Sequence, residues 1–223
     1  MGIADNLNQV KHSIEQACRD AGRSVDMVEL VAVSKVHPTE NIIPVLEAGQ
    51  RVFGENRVQE AQSKWPALRK GYPDVQLHLI GGLQTNKVKE AVALFDVIET
   101  VDRPKLARAL VKEMDKQQKT LGVYLQINTG EEEQKGGCLP AEADDFIRLC
   151  VEELQMNVLG LMCIPPADEE PSLHFAFLRE LAKRHGLTKL SMGMSGDFET
   201  AIRFGATSVR VGTAVFGERP KKL

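Results

Sequence analysis

Lys35 closes the run VELVAVSK, which is apolar and largely β-branched until it ends on an amine. An ammonium is costly to take out of water. A lysine held where desolvation lowers its pKa becomes a nucleophile toward carbonyls and can form a Schiff base. The bland alternative is a lysine snorkelling from a strand end into solvent. Two stretches far along the chain bear on the choice. SMGMSGD, residues 191–197, brings two hydroxyls and two glycines, with Asp197 placed to cap a following helix. VGTAVFG, residues 211–217, brings Gly212, Thr213 and a run of backbone N–H groups as the chain turns. Such groups at a helix start favour a phosphate. One loop of this kind reads as a tight turn, but two that a fold brings side by side read as an anion cradle. A lysine beside a phosphate cradle fits two chemistries: a pyridoxal-phosphate Schiff base, or a class I aldolase acting on a phosphorylated sugar. Residue types and spacing do not separate them.

The elements that must position these residues alternate along the chain. Strands are expected over 28–34, 51–54, 76–80, 96–99, 122–128, 158–164, 189–192 and 208–211. Helices are expected between them over 40–48, 56–68, 86–94, 103–119, 141–153, 170–185 and 197–204. Gly49, Gly186 and Gly205 stand where helices close, and Pro104 stands at a helix start. A leading helix over 5–21, closed by Gly22, precedes them and is expected to close the bottom of the barrel, with an interface role as the alternative. Its apolar residues Ile3, Leu7, Val10, Ile14 and Ala17 have helical spacing. Eight strands in βα alternation imply a parallel sheet with right-handed crossovers. At this length they point to an α/β fold, a (β/α)8 TIM barrel with an additional N-terminal helix, with an open doubly wound sheet as the competitor. No linker or composition shift divides the chain, so residues 1–223 read as a single domain.

On such a barrel the active site lies at the C-terminal strand ends. Lys35, Glu55 and Asn56, Gly81 and Gly82, Asn128 and Thr129, Pro165 and Pro166, Ser191–195, Gly212 and Thr213 all fall there. Trp65, Phe53 and Phe95 are expected to pack helices onto the barrel, and the acidic run 131–133 to be solvated surface. The chain has 223 residues and a net charge of −3 with both signs interspersed, which argues against a dedicated nucleic-acid or membrane binder. The four cysteines are scattered without metal-ligand spacing, no apolar run is long enough to span a bilayer, and the N-terminal residues do not read as a secretory signal. A reduced, cytoplasmic protein is the expectation.

The motifs VAVSK, FGENRVQEAQSK, HLIGGLQTNK, INTGEEEQKGG, GLMCIPP, SMGMSGDFETAI and VRVGTAVFG together resemble, in order and nearly end to end, the YggS/PROSC family of pyridoxal-phosphate homeostasis proteins. The fold of that family is similar to the N-terminal barrel of alanine racemase. The resemblance implies a pyridoxal 5′-phosphate-binding protein with a role in vitamin B6 homeostasis and with apo-enzymes as possible recipients of the cofactor. It implies that Lys35 carries the cofactor, that Ser195, Gly212 and Thr213 hold its phosphate, that Arg210 sits by the pyridine nitrogen, and that Asn56 and Met194 line the ring pocket. His78 is expected to be a satisfied core histidine, and Lys135 to sit on a mobile loop near the mouth. Gly82 and Gly196 depart from the commoner family spelling, which puts the rigidity of those two loops in question.

An arginine at the pyridine nitrogen cannot keep that nitrogen protonated, so a strong electron sink is not expected. Racemisation needs a proton donor or acceptor on each face. Lys35 could serve one, but the only tyrosines, Tyr72 and Tyr124, fall in a loop and within a strand, away from the C-terminal strand ends. A monomeric, non-catalytic carrier is therefore expected. A fold-type III enzyme with weak racemase-like activity is the alternative.

Overall fold

The computed structural model describes residues 2–218. Residue 1 and residues 219–223, the ends of the expected single domain, lie outside the described residues. Eight parallel strands, β1 (Glu29–Val33), β2 (Val52–Glu55), β3 (Gln76–Leu79), β4 (Val97–Val101), β5 (Gly122–Ile127), β6 (Val158–Cys163), β7 (Lys189–Ser191) and β8 (Ser208–Val211), pair in sequence order. β8 returns to β1 with Val31 opposite Arg210, so the sheet closes as a barrel and the open-sheet alternative is excluded.

The helices are α1 (Ile3–Asp20), α2 (Thr39–Glu47), α3 (Val58–Gly71), α4 (Val88–Leu94), α5 (Pro104–Gln117), α6 (Ala143–Arg148), α7 (Pro171–Arg184), α8 (Phe198–Arg203) and α9 (Thr213–Phe216). Boundaries shift by one to three residues from the sequence expectation. The larger difference is the segment over 141–153, which is not one helix. It begins as a 3-10 turn, Pro140–Glu142, continues as α6 and opens into a π-helical turn over Leu149–Glu153. The leading helix also differs in place. α1 packs along α2, α8 and α9, and Asn6 donates to the Val215 carbonyl at 3.2 Å. With only four residues, α9 cannot cover the β8–β1 seam, and α1 fills that position in the outer ring rather than closing the barrel floor.

Strand alternation divides the buried side chains into two sets. Leu30, Ala32, Phe53, Leu77, Ile98, Leu125, Leu161 and Val209 join the main core between sheet and helices. Trp65 on α3 packs against Phe53 with ring centroids 4.9 Å apart, as expected. The other face fills the barrel. Val97, Tyr124 and Met162 form a separate apolar layer there. His78, Glu99, Ser191 and Arg210 are buried and polar, and they bond to one another across the interior rather than joining either apolar cluster. By the same parity Val31, Val33 and Lys35 share one side of β1, which carries the Lys35 side chain to the mouth of the barrel.

Candidate functional site

All seven residues singled out from the sequence, Lys35, Asn56, Met194, Ser195, Arg210, Gly212 and Thr213, line one cavity of about 270 Å³ at the C-terminal end of the strands. Val33, Ile80, Ile164 and Gly196 complete its wall. Among the described residues lining it, Lys35 and Arg210 are the only charged side chains.

The two glycine-rich loops meet there. The Ala214 backbone N–H points to Ser195 Oγ at 3.5 Å, bridging the loop after β7 to the start of α9. Asp197 does not cap α8 with its side chain, contrary to expectation. Its Oδ1 turns back and accepts from the Met194 N–H at 2.6 Å, which fixes the 194–197 turn and presents Ser195 and Gly196 to the cavity. Gly193 makes this turn possible. Its φ is +94°, and an added Cβ would lie 2.6 Å from Ala201 Cβ. Gly193→Ala is expected to cost about 2 kcal/mol or more from strain and overlap. It should also weaken inorganic phosphate binding, checked by thermal unfolding with and without phosphate. Unchanged stability would contradict that reading of the turn. Across the mouth, Gly81 allows the loop after β3 to press on Asn56, since a Cβ there would come 2.2 Å from the Asn56 carbonyl oxygen. At Gly82 and Gly196, by contrast, an added Cβ would meet nothing within 4 Å, so neither departure from the family spelling is forced by packing.

Arg210 forms the inner wall. It donates to Ser191 Oγ at 2.5 Å and to the Cys163 carbonyl at 2.8 Å. Ser191 in turn donates to Glu99 Oε2 at 2.6 Å, and His78 Nδ1 lies 2.7 Å from Glu99 Oε1. Burial acts to raise the Glu99 carboxyl. The His78 hydrogen bond, the charges of His78 and Arg210 and the Ser191 hydroxyl outweigh it and hold the group below the usual carboxylate range. His78 is thus a buried partner of Glu99 through Nδ1, but it is not the fully satisfied core histidine expected, since its buried Nε2 meets no hydrogen-bond partner. Tyr124 is 2 % exposed, and burial followed by the Glu99 charge pushes its hydroxyl up, so it stays protonated. Tyr72 lies outside the barrel, with Arg51 Cζ 5.5 Å above its ring centre.

Lys35 sits on a turn. The His37 N–H donates to the Ser34 carbonyl at 3.2 Å, leaving Lys35 and Val36 at the two central positions. Val36 has φ +62°, a place where such turns take glycine. For a β-branched residue this is a strained conformation costing on the order of 1–3 kcal/mol. Beneath the turn Lys64, only 8 % exposed, donates to the carbonyls of Ser34 at 3.1 Å and His37 at 3.3 Å. It also pairs with Glu55 at 2.8 Å and Glu60 at 2.9 Å. Burial pushes the Glu55 carboxyl up; the Lys64 charge and hydrogen bonds from Lys64, Ser34 and Trp65 oppose the rise.

Lys135 stands beside the cavity with two partners. It pairs with Glu132 at 2.5 Å and donates to the Pro165 carbonyl at 3.2 Å, which anchors the 131–135 loop beside the cavity. The acidic run is accordingly split, with Glu131 and Glu133 exposed and Glu132 tied to Lys135. Asn128 braces the same loop by donating to the Glu132 carbonyl at 2.9 Å, and Thr129 meets His174 at 3.0 Å. Neither lines the cavity that Lys35 enters. The four cysteines are buried and free, and burial pushes Cys150 and Cys163 up to about 12. Among the described residues no helix is long and apolar enough to cross a membrane.

A closed (β/α)8 barrel with a lysine, an arginine and two hydroxyl- and glycine-bearing loops converging at its mouth defines the class. The alanine racemase N-terminal domain family model matches residues 6–220, and the chain belongs to that family. It is 41% identical to the pyridoxal phosphate homeostasis protein of Aquifex aeolicus (strain VF5), over 98% of this chain and 99% of that one. It is 38% identical to the protein of the same name from Escherichia coli (strain K12), over 97% of each. Its fold superposes with a TM-score of 0.83 on PipY of Synechococcus elongatus PCC7942 solved with PLP bound, at 36% identity, covering 96% of this chain and all (100%) of that one.

Proposed function

We propose that this chain binds pyridoxal 5′-phosphate in the cavity at the barrel mouth, holds it as a Schiff base through Lys35 and serves intracellular vitamin B6 homeostasis without turning over a substrate. The observation that carries the reading is the convergence of Lys35, the Ser195 and Thr213 loops and Arg210 on one cavity. The residues fit the group. Ser195 and the backbone of Gly212 to Ala214 would hold the phosphate. Arg210 would face the ring nitrogen, Asn56 and Met194 would flank the ring, and Lys35 would reach the aldehyde. When bound, the cofactor supplies an electrophilic aldehyde and a conjugated ring. The relatives named for pyridoxal phosphate homeostasis and the PLP-bound PipY support this assignment.

The non-catalytic part of the reading rests on what surrounds the cavity. Acid–base work on both faces of a bound amino acid needs two positioned groups. Among the described lining residues Lys35 is the only one able to accept a proton, since Arg210 stays charged. Tyr124 is sealed in the barrel and Tyr72 lies outside it. The same reading keeps the chain monomeric and cytoplasmic and makes apo-enzymes that require the cofactor its partners.

Titration with pyridoxal 5′-phosphate, followed in the visible spectrum, is expected to give a saturable band at one equivalent per chain. The loaded protein should leave D- and L-amino acids unracemised over hours. A failure to saturate would remove the binding claim. Turnover of alanine that disappears in Lys35→Ala would establish the racemase-like enzyme instead.

A further inference from the structure

We infer that Lys64 and Glu60 are positioning residues for Lys35, holding its turn in the strained form from which the amine can capture an aldehyde. The inference rests on the covalent role proposed for Lys35. Three observations converge on it. The turn needs φ +62° at Val36, which an isolated β-branched residue avoids. Glu60 Oε1 accepts the Val36 N–H at 2.6 Å, on the strained residue itself. Lys64 Nζ clamps both ends of the same turn through the Ser34 and His37 carbonyls, at 3.1 and 3.3 Å. Neither Lys64 nor Glu60 lines the cavity that Lys35 enters, so neither acts on a bound molecule directly.

The placement couples two elements. Glu60 and Lys64 sit four residues apart on the first turns of α3, while Ser34 to His37 leave β1. Glu55, at the end of β2, ties the pair to the sheet through Lys64 at 2.8 Å and accepts from Ser34 Oγ at 2.7 Å. The buried ammonium of Lys64 is thus satisfied by two carboxylates and two carbonyls, all at the base of one turn. Loss of either clamp leaves Val36 to relax toward negative φ, and the peptide following Lys35 rotates with it. Capture joins the Lys35 amine nitrogen to the aldehyde carbon. A C=N bond forms, the C=O bond breaks, and the oxygen leaves as water with the two amine protons. Such a step depends on approach geometry, where a displacement of about 1 Å costs on the order of a hundredfold. Phosphate binding, on the loops after β7 and β8, does not pass through this turn.

The test separates the two. Glu60→Ala and Lys64→Met are titrated with pyridoxal 5′-phosphate and, separately, with pyridoxine 5′-phosphate, which carries an alcohol in place of the aldehyde and cannot be captured. In each variant, capture of the aldehyde, read as borohydride-trapped adduct on Lys35, should slow by about tenfold or more. Affinity for the alcohol should stay within about twofold, since its phosphate and ring contacts remain. Where Lys64→Met alone fails to fold because Glu55 is stranded, Lys64→Met with Glu55→Gln removes both charges together. Adding Val36→Gly to Glu60→Ala should recover most of the lost capture, because glycine reaches φ +62° without the Cβ penalty that the clamp otherwise offsets. Equal loss for both ligands, no loss for either, or no rescue by Val36→Gly would overturn the inference. An absence of any Lys35 adduct in the unmodified protein, with the alcohol still bound, would remove the underlying covalent reading and this inference with it.

Discussion

Lys35→Ala is expected to abolish the reducible cofactor adduct entirely while leaving the barrel folded. Lys35 is half-buried at the mouth, beyond the last residue of β1, and is not part of the apolar layers that hold the sheet together. Its truncation removes no core packing, so thermal stability should change by less than about 1 kcal/mol. The loop carrying Ser195 is fixed by the Met194–Asp197 hydrogen bond and Thr213 opens α9, so both should still take up the phosphate end of the cofactor. The expected result is weaker, non-covalent binding that dialysis removes and that shows no Lys35-type band. Circular dichroism and a visible titration of the same sample check both halves. A variant that fails to fold would make Lys35 a structural residue. A variant that keeps a reducible band would place the anchor elsewhere.

Glu99→Gln should have the largest effect on stability. Glu99 is fully buried, bonded to His78 and Ser191, and 3.8 Å from Arg210. Removing its charge strands a buried guanidinium, and breaking a buried pair from one side costs about 3–5 kcal/mol. The loss should depend on pH in a definite direction. The folded protein holds the Glu99 carboxyl below its ordinary value of 4.5, so the unfolded chain binds that proton more readily. Glu99 therefore stabilises fully above that value, and its contribution fades as the pH falls through the depressed folded value. His78, Arg210 and Tyr124 are the charged or titratable groups that face it. Unfolding by urea at pH 7 and at successively lower pH should show a wide gap between the two proteins that narrows on acidification. A gap that is constant with pH, or absent at pH 7, would mean that Glu99 is not ionised against Arg210. Because Ser191 relays Glu99 to Arg210, the variant should also loosen the Arg210 wall of the cavity.

The barrel was legible because its information is local. β-branched runs alternate with helical spacing, and glycines such as Gly49 and Gly186, with φ +86° and +67°, mark where helices stop. The cavity residues were legible for a related reason. In a parallel barrel the strand ends carry the chemistry, and Lys35, Ser195 and Thr213 are conspicuous there by type, whereas Arg210, within β8, was picked out by the family resemblance alone. What stayed hidden depends on contacts between distant segments. Lys64, in QSKWP, reads as an ordinary surface lysine until α3 is seen to lie over the β1 turn. Glu60 likewise reads as helix surface until it meets the Val36 N–H. Glu99 gave a usable signal that went unread. A glutamate inside VIETV, on a strand buried on both faces, needs a partner, and His78, Tyr124 and Arg210 are the other buried charged or titratable residues on inward strand positions. The α6 segment misled because its apolar spacing continues through a π-helical turn, and α1 because spacing identifies an apolar face without saying what covers it.

Lys35 is proposed as the covalent anchor of pyridoxal 5′-phosphate. The most direct measurement is borohydride reduction of the cofactor-loaded protein followed by peptide mass mapping. A single phosphopyridoxyl group per chain is expected, on the peptide that contains Lys35. A label spread over surface lysines, or none at all, would contradict it and return the lysine and its anion cradle to phosphorylated carbonyl chemistry of the aldolase kind.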